Sequence, residues 1–156
     1  MIKKEISPEK ALQKAESYCA YQERSQQEVR DKIYSWGLHQ REVENIISHL
    51  ITNGFLKEER FASAYTSGKF RIKKWGKIKI RLALQNKRVS EPLINKALSS
   101  IDDREYKKAL KEVIASRSKG IKEENPLKRK NKIASYAISR GFEPELVWEI
   151  ISQLDD

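Results

Sequence analysis

An all-α fold of three tandem three-helix repeats is predicted for this 156-residue sequence. Three observations predict it: apolar residues three and four positions apart, regular helix start and stop marks, and an apolar pattern recurring about every fifty positions. Alternating β-branched runs are few. The Asn53-Gly54 pair, which would otherwise suggest a hairpin, follows a run of helical period and reads as a helix C-terminus.

The first helix is expected over about 8 to 22, with Ser7 as N-cap and Pro8 in the first turn. Ser25-Gln26-Gln27-Glu28 fits a capping box, in which serine and glutamate satisfy free amides reciprocally and open a second helix. Gly37 stops that helix and Gly54 the third. In this pair Val29/Ile33 and Val43/Ile47 each share a helix face, and Leu38 plugs the connecting turn, with Leu50 completing the pattern. A shift of 51 gives Ile80, Leu84, Val89, Ile94, Leu98 and Ile101; a shift of 104 gives Ile133, Ala137, Phe142, Val147, Ile151 and Leu154. Every position stays apolar. Leading helices are expected at about 57 to 73 and 103 to 118, with further starts at Ser90, Asp102 and Asn125-Pro126 and stops at Gly120 and Gly141. The units so defined are 1–55, 56–101 and 102–156, eight or nine helices in all. Trp36 and Trp148 take helix-pair positions and are expected in the core, Cys19 as a small buried hydrophobe, and His39 and His49 on the surface. Asp155-Asp156 reads as a tail.

The apolar share is 38% against 35% charged, and mean hydropathy is -0.73. Helix faces can be lined with that share, but a thick core cannot, so an elongated array is expected. No apolar run approaches the roughly 18 to 20 residues of a membrane span, and Met1-Ile2-Lys3-Lys4-Glu5 has no apolar stretch behind its lysines. A cytoplasmic protein with no membrane partner is expected. With one cysteine and two histidines there is no internal disulfide and no metal-ligand cluster of the usual spacings. Walker, Gly-x-Ser-x-Gly and His-Glu-x-x-His motifs are missing, so neither an enzyme nor a cofactor is expected.

The formal net charge is +10, from 32 Lys+Arg against 22 Asp+Glu. Between Arg60 and Ser90 lie ten basic residues and no acid, so the remaining 32 − 10 = 22 basic residues balance all 22 acids. The excess therefore resides in the middle unit, and a polyanion is the expected partner. Lys69, Arg71, Lys73, Lys74, Trp75, Lys77, Lys79, Arg81, Lys87 and Arg88 are the candidate binding residues. Cations here alternate with aromatics, a pattern that suits phosphates and stacked bases in single- or double-stranded DNA bound without sequence preference. On a helix from about Lys77, Lys77, Arg81 and Arg88 form a stripe opposite Ile80, Ala83 and Leu84. The alternative is a solvated polar face, which a run lacking acids fits less well. Trp75 is as compatible with turn packing as with stacking. Lys128, Arg129, Lys130 and Lys132 form a secondary basic patch, diluted by Glu123 and Glu124.

The segment Asn53-Gly-Phe-Leu-Lys-Glu-Glu-Arg-Phe-Ala-Ser-Ala-Tyr65 resembles the signature of the RecX family at Gly54, Phe55, Leu56, Arg60, Phe61, Ala62 and Tyr65. Ser25, Glu28, Val29, Lys32 and Gly37 also resemble that family's pattern, as does Arg140-Gly141-Phe142. The resemblance implies a curved, elongated protein that lies in the groove of the RecA filament on DNA and regulates, most often by inhibition, RecA's recombinase and ATPase activities. Those activities belong to DNA recombination, repair and the SOS response. The loop Lys74-Trp75-Gly76-Lys77 departs from the Gly-x-Gly-Pro-like form of many members, and the third unit is divergent with a long connection. A monomer is expected. The rival readings are a free-standing, non-specific DNA-binding or architectural protein and a helix-turn-helix transcription factor.

Overall fold

The structure, a computed structural model, describes residues 6–154; Met1–Glu5 and the Asp155-Asp156 tail lie outside the described residues. Among these residues there are nine helices and no strand. They are α1 (Pro8–Tyr21), α2 (Gln26–Ser35), α3 (Gln40–Thr52), α4 (Glu58–Arg71), α5 (Lys77–Asn86), α6 (Glu91–Ser99), α7 (Asp103–Gly120), α8 (Pro126–Ser139) and α9 (Pro144–Gln153). The main helix-helix packing falls within consecutive triplets: α1, α2 and α3, then α4, α5 and α6, then α7, α8 and α9. The array is the tandem repeat that the fifty-residue recurrence predicts.

Capping chemistry sets the helix starts. Ser7 accepts from the Lys10 amide, Ser25 and Glu28 form the reciprocal box, and Asp102 and Asn125 accept from the Glu105 and Lys128 amides. These bonds satisfy amides that a helix leaves without intrahelical partners. At Gly120 the expected left-handed stop does not form: α7 runs through Gly120 and ends in an extended residue, Ile121.

The turn plugs Leu38, Val89 and Phe142 are all buried. Immediately before each stands a residue in the left-handed region: Gly37 at φ 91°, Arg88 at φ 59° and Gly141 at φ 99°. The turns share their bonding as well, since the amides of residues 37, 88 and 141 donate to the carbonyls of Tyr34, Gln85 and Ile138. The middle unit thus keeps the turn that glycine makes in the other two, but with an arginine in it.

The repeat pattern locates the core except at Ile101, half-buried, and Leu154, exposed as the C-cap of α9. Trp148, expected in the core, is 39% exposed, because Val147, Ile150 and Ile151 occupy the inward face of α9. Trp36 is only half-buried, at the C-cap of α2. Cys19 is buried, and His39 and His49 are exposed.

Two cores result. One, from Ala11 to Leu56, is built on α1, α2 and α3 with Leu56 of the following segment; the other runs continuously from Phe61 to Ile151 through α4 to α9. A ring series links the latter two, with Phe70 to Tyr106 at 5.9 Å and Tyr106 to Phe142 at 5.2 Å. Between the first and second units, the Gln26 amide donates to Glu58 Oε1 over 2.5 Å. Arg60 pairs with Glu23 at 2.5 Å and donates to the carbonyls of Gly54 and Phe55. The Asn53–Tyr65 segment is therefore the joint between units: Leu56 enters the first core, Phe61 and Ala62 the second. Accessible surface is 10148 Å², against about 8,100 Å² for a compact monomer of 18.2 kDa. The excess accords with an elongated array.

Candidate nucleic-acid interface

The middle unit places five side chains in an alternating ladder of cations and rings. Lys87 Nζ lies 5.7 Å from the Tyr65 ring centroid, and Lys69 Nζ lies 5.4 Å from Tyr65 and 4.8 Å from Trp75. Lys79 Nζ lies 4.5 Å from the far participant, Trp75. Three elements assemble it. Tyr65 and Lys69 are one turn apart on α4, Trp75 sits in the α4–α5 turn, and Lys79 stands on α5, whose C-cap supplies Lys87. Both rings are half-buried against the second core. Burial is the main reason the Tyr65 hydroxyl titrates above its ordinary range, with the Glu28 carboxylate adding to the effect.

The acid-free run meets acids from other elements. Arg71 pairs with Glu105 at 3.2 Å and Lys74 with Glu112 at 2.5 Å, both on α7. Arg81 pairs with Glu91 at 2.6 Å and bonds Asn95 at 2.7 Å, both on α6. Lys87 lies 3.8 Å from Glu28 of α2. Pairs of this kind, exposed or partly exposed, contribute about 0–1 kcal/mol each. Lys69 and Lys79, by contrast, lie over rings with no acid paired to them among the described residues. Lys73 and Arg88 have exposed side chains without a partner among those residues.

The expected stripe of Lys77, Arg81 and Arg88 is not one helical face. α5 ends at Asn86, and Arg88 lies beyond it in the left-handed turn. Lys77 is half-buried, with Nζ 4.8 Å from the Tyr106 ring. Ile80 and Leu84 do face inward, Ala83 only partly. Lys77 and Arg81 thus border one side of the outer face of α5 and Lys79 the other, while Ile78 and Leu82 between them are 42% and 56% exposed. The first amides of α5 are already committed. Lys77 N–H donates to the Tyr106 hydroxyl over 2.9 Å and Ile78 N–H to the Gly141 carbonyl over 3.0 Å. The Tyr106 hydroxyl in turn bonds Glu143, and burial together with that carboxylate raises its pKa.

In the secondary patch, Arg129 turns inward to hold the end of α7, donating to the Ile121 and Ser118 carbonyls at 2.7 and 2.5 Å. Lys132 lies 3.6 Å from Glu123, and Lys128 is exposed. Lys130 is half-buried, so these four cations do not form one open surface. Tyr65 is the ladder residue that composition did not single out; its spacing of four from Lys69 was the available signal. No group of three or more potential metal ligands occurs among the described residues, nor any helix long and apolar enough to cross a membrane.

Models of the first, second and third three-helix domains of RecX match residues 11–50, 58–98 and 104–151. The chain is 28% identical to Regulatory protein RecX of Clostridium acetobutylicum, over 92% of this chain and 68% of that protein. To Regulatory protein RecX of Lactobacillus johnsonii it is 30% identical, covering 99% of this chain but 57% of the relative. The protein of that name from Prosthecochloris aestuarii is 29% identical, with 93% of each covered. Among solved structures, a crystal structure of RecX from Lactobacillus salivarius superposes with a TM-score of 0.84 at 24% identity, over 95% of this chain and 96% of that one. At that identity the structural likeness is one of fold.

Proposed function

The chain belongs to the RecX family, and on that premise we propose that it regulates the RecA recombinase, chiefly by inhibition. It lies in the groove of the RecA–DNA filament and restrains recombination and ATP hydrolysis by occupying a surface, with no catalytic step or cofactor of its own. The setting is cytoplasmic DNA recombination, repair and the SOS response. The acting species is a monomer of three units, 1–55, 56–101 and 102–156, with the middle unit meeting DNA non-specifically.

The observation that carries this reading is the Lys87–Tyr65–Lys69–Trp75–Lys79 ladder. Ammonium groups held over ring faces are positioned before a phosphate arrives, at about 0.5–1 kcal/mol per exposed pair, so little ordering is left to binding. They can neutralise successive phosphates while ring edges meet sugars or unstacked bases. Lys73 and Arg88 extend the same charge, and the acid-paired Arg71, Lys74 and Arg81, with Lys77 over the Tyr106 ring, flank it. A ladder alone would serve a free-standing DNA-binding protein equally well. The exposed Ile78 and Leu82 between cations favour a partner that also offers apolar protein surface beside its DNA.

Co-sedimentation with RecA filaments, with and without single-stranded DNA and nucleotide, tests the reading. Retention that needs RecA on DNA supports it, whereas equal retention by DNA without RecA supports the architectural alternative.

A further inference from the structure

A second cationic site lies beside the ladder and shares Lys74 with its flank, where the α4–α5 turn meets α7 and α8. A cavity of about 460 Å³ opens there, lined by Lys74, Arg117 and Arg140 with one acid, Glu112, and the hydroxyl-bearing Ser116 and Tyr136. We infer that this cavity binds a phosphate group, carried either by a nucleic-acid backbone or by a small polyphosphate such as a nucleotide.

Three features converge on it. Arg140 uses one terminal nitrogen to hold the Lys73 carbonyl, while its Nε is buried and has no hydrogen-bond partner. Buried guanidinium donors are normally satisfied, and an unmet one marks a place where an acceptor belongs. Lys74 is brought to the rim by a left-handed turn, φ 55°, a conformation that non-glycine residues seldom adopt. Arg117 is fixed 4.8 Å over the Tyr136 ring, which preorganises its fork. Three cations against one carboxylate leave the site with a net charge of +2.

Glu112 does not disqualify the site. It is spent on Lys74, 2.5 Å away, which holds its carboxyl below the usual range, and both side chains are about half exposed. An entering phosphate offers Lys74 more charge and more oxygens than one carboxylate does, so it displaces Glu112 from Lys74. Two arginines with adjacent hydroxyls match a multi-oxygen anion, and the cavity is too large for a single carboxylate. The site also abuts the joint between the second and third units, because the Arg140 carbonyl accepts the Gly76 amide.

Gly120 lines the cavity, and a Cβ there would meet no heavy atom within 4 Å. Gly120→Ala is therefore accommodated without displacing a neighbour, and Gly120→Glu, built on the same open Cβ, adds a carboxylate to the cavity lining. The test follows arginine Nε–H resonances of the full chain in proton–nitrogen spectra at fixed ionic strength. Inorganic pyrophosphate and a short single-stranded oligonucleotide are added separately, with sulfate as control. Saturable shifts at Arg117 and Arg140 are expected with at least one of the two phosphate probes. Gly120→Glu should weaken that binding about tenfold or more, Gly120→Ala should leave it unchanged, and Glu112→Gln should tighten it a few-fold. A response to pyrophosphate identifies a free polyphosphate as ligand, and a response to the oligonucleotide alone identifies the backbone. The inference is overturned if neither probe shifts these signals, if sulfate does so equally, or if Gly120→Glu binds as the wild type does.

Discussion

A Cβ on Gly76 would lie 2.2 Å from the carbonyl carbon of Gly141, so the start of α5 and the end of α8 meet backbone to backbone. The approach brings the Gly76 amide 2.8 Å from the Arg140 carbonyl and the Ile78 amide 3.0 Å from the Gly141 carbonyl. Two free amides of α5 are thereby satisfied by the third unit instead of water. The joint explains how a loop without proline is positioned: Lys74-Trp75-Gly76-Lys77 is pinned by the neighbouring unit.

Gly76→Ala isolates that approach, because Gly76 has φ −77°, which alanine adopts freely. The clash is with backbone, so relaxation is limited, and a loss of about 1–3 kcal/mol or more is expected. Thermal unfolding should fall by several degrees, roughly 2–4 °C per kcal/mol for a chain of this size. Gly120→Ala, with open space around its Cβ, should not destabilise the chain. Equal melting temperatures for Gly76→Ala and the wild type would mean that the joint does not hold.

Arg88→Gly should gain about 1 kcal/mol of stability, because the left-handed turn strains an arginine as it does not strain Gly37 or Gly141 at the equivalent positions. DNA affinity should fall in the same variant, since the exposed cation is removed. Chemical denaturation and fluorescence anisotropy read the two effects separately. A variant both more stable and equally tight would show that Arg88 has no part in binding.

Much of the fold was legible because its determinants are local. Ser7, the Ser25/Glu28 box, Asp102 and Asn125 announce helix starts by short-range bonds, and Leu38, Val89 and Phe142 repeat because each plugs the same turn. What stayed hidden depends on tertiary approach. Nothing near Gly76 in sequence points to Gly141, and the acids facing the basic run, Glu28, Glu91, Glu105 and Glu112, come from α2, α6 and α7. The stripe failed at Arg88 because helical spacing was carried past the end of α5. Trp148 was misplaced because its helix-pair position suggested burial, whereas its neighbour Val147 has the inward position.

Replacing Lys69, Lys79 and Lys87 with glutamine should lower affinity for single-stranded DNA and flatten its salt dependence, by about 0.7 in the log–log slope for each phosphate no longer neutralised. Trp75→Ala should weaken binding at every salt concentration while changing the slope little. Titrations over a range of salt separate the charge and ring contributions. An unchanged slope in the triple variant would remove the ladder from the interface.

Cys19 should resist thiol reagents in the folded protein, because burial pushes its thiol from an ordinary 9.0 up to about 11. The fold favours the neutral form, so this group's contribution to stability is present below pH 9 and is lost as pH rises towards 11. Labelling at pH 8 should therefore track unfolding. Labelling at the rate of a free thiol under native conditions would show that the packing of α1 in the first core is open.

Regulation of the filament is decided by the RecA ATPase rate on saturating single-stranded DNA, titrated with this protein. Inhibition should appear well below the amount that coats the DNA, and Ile78→Ser with Leu82→Ser should weaken it while sparing affinity for bare DNA. No effect on a RecA from the same source, or inhibition only once the DNA itself is saturated, would contradict the proposed function.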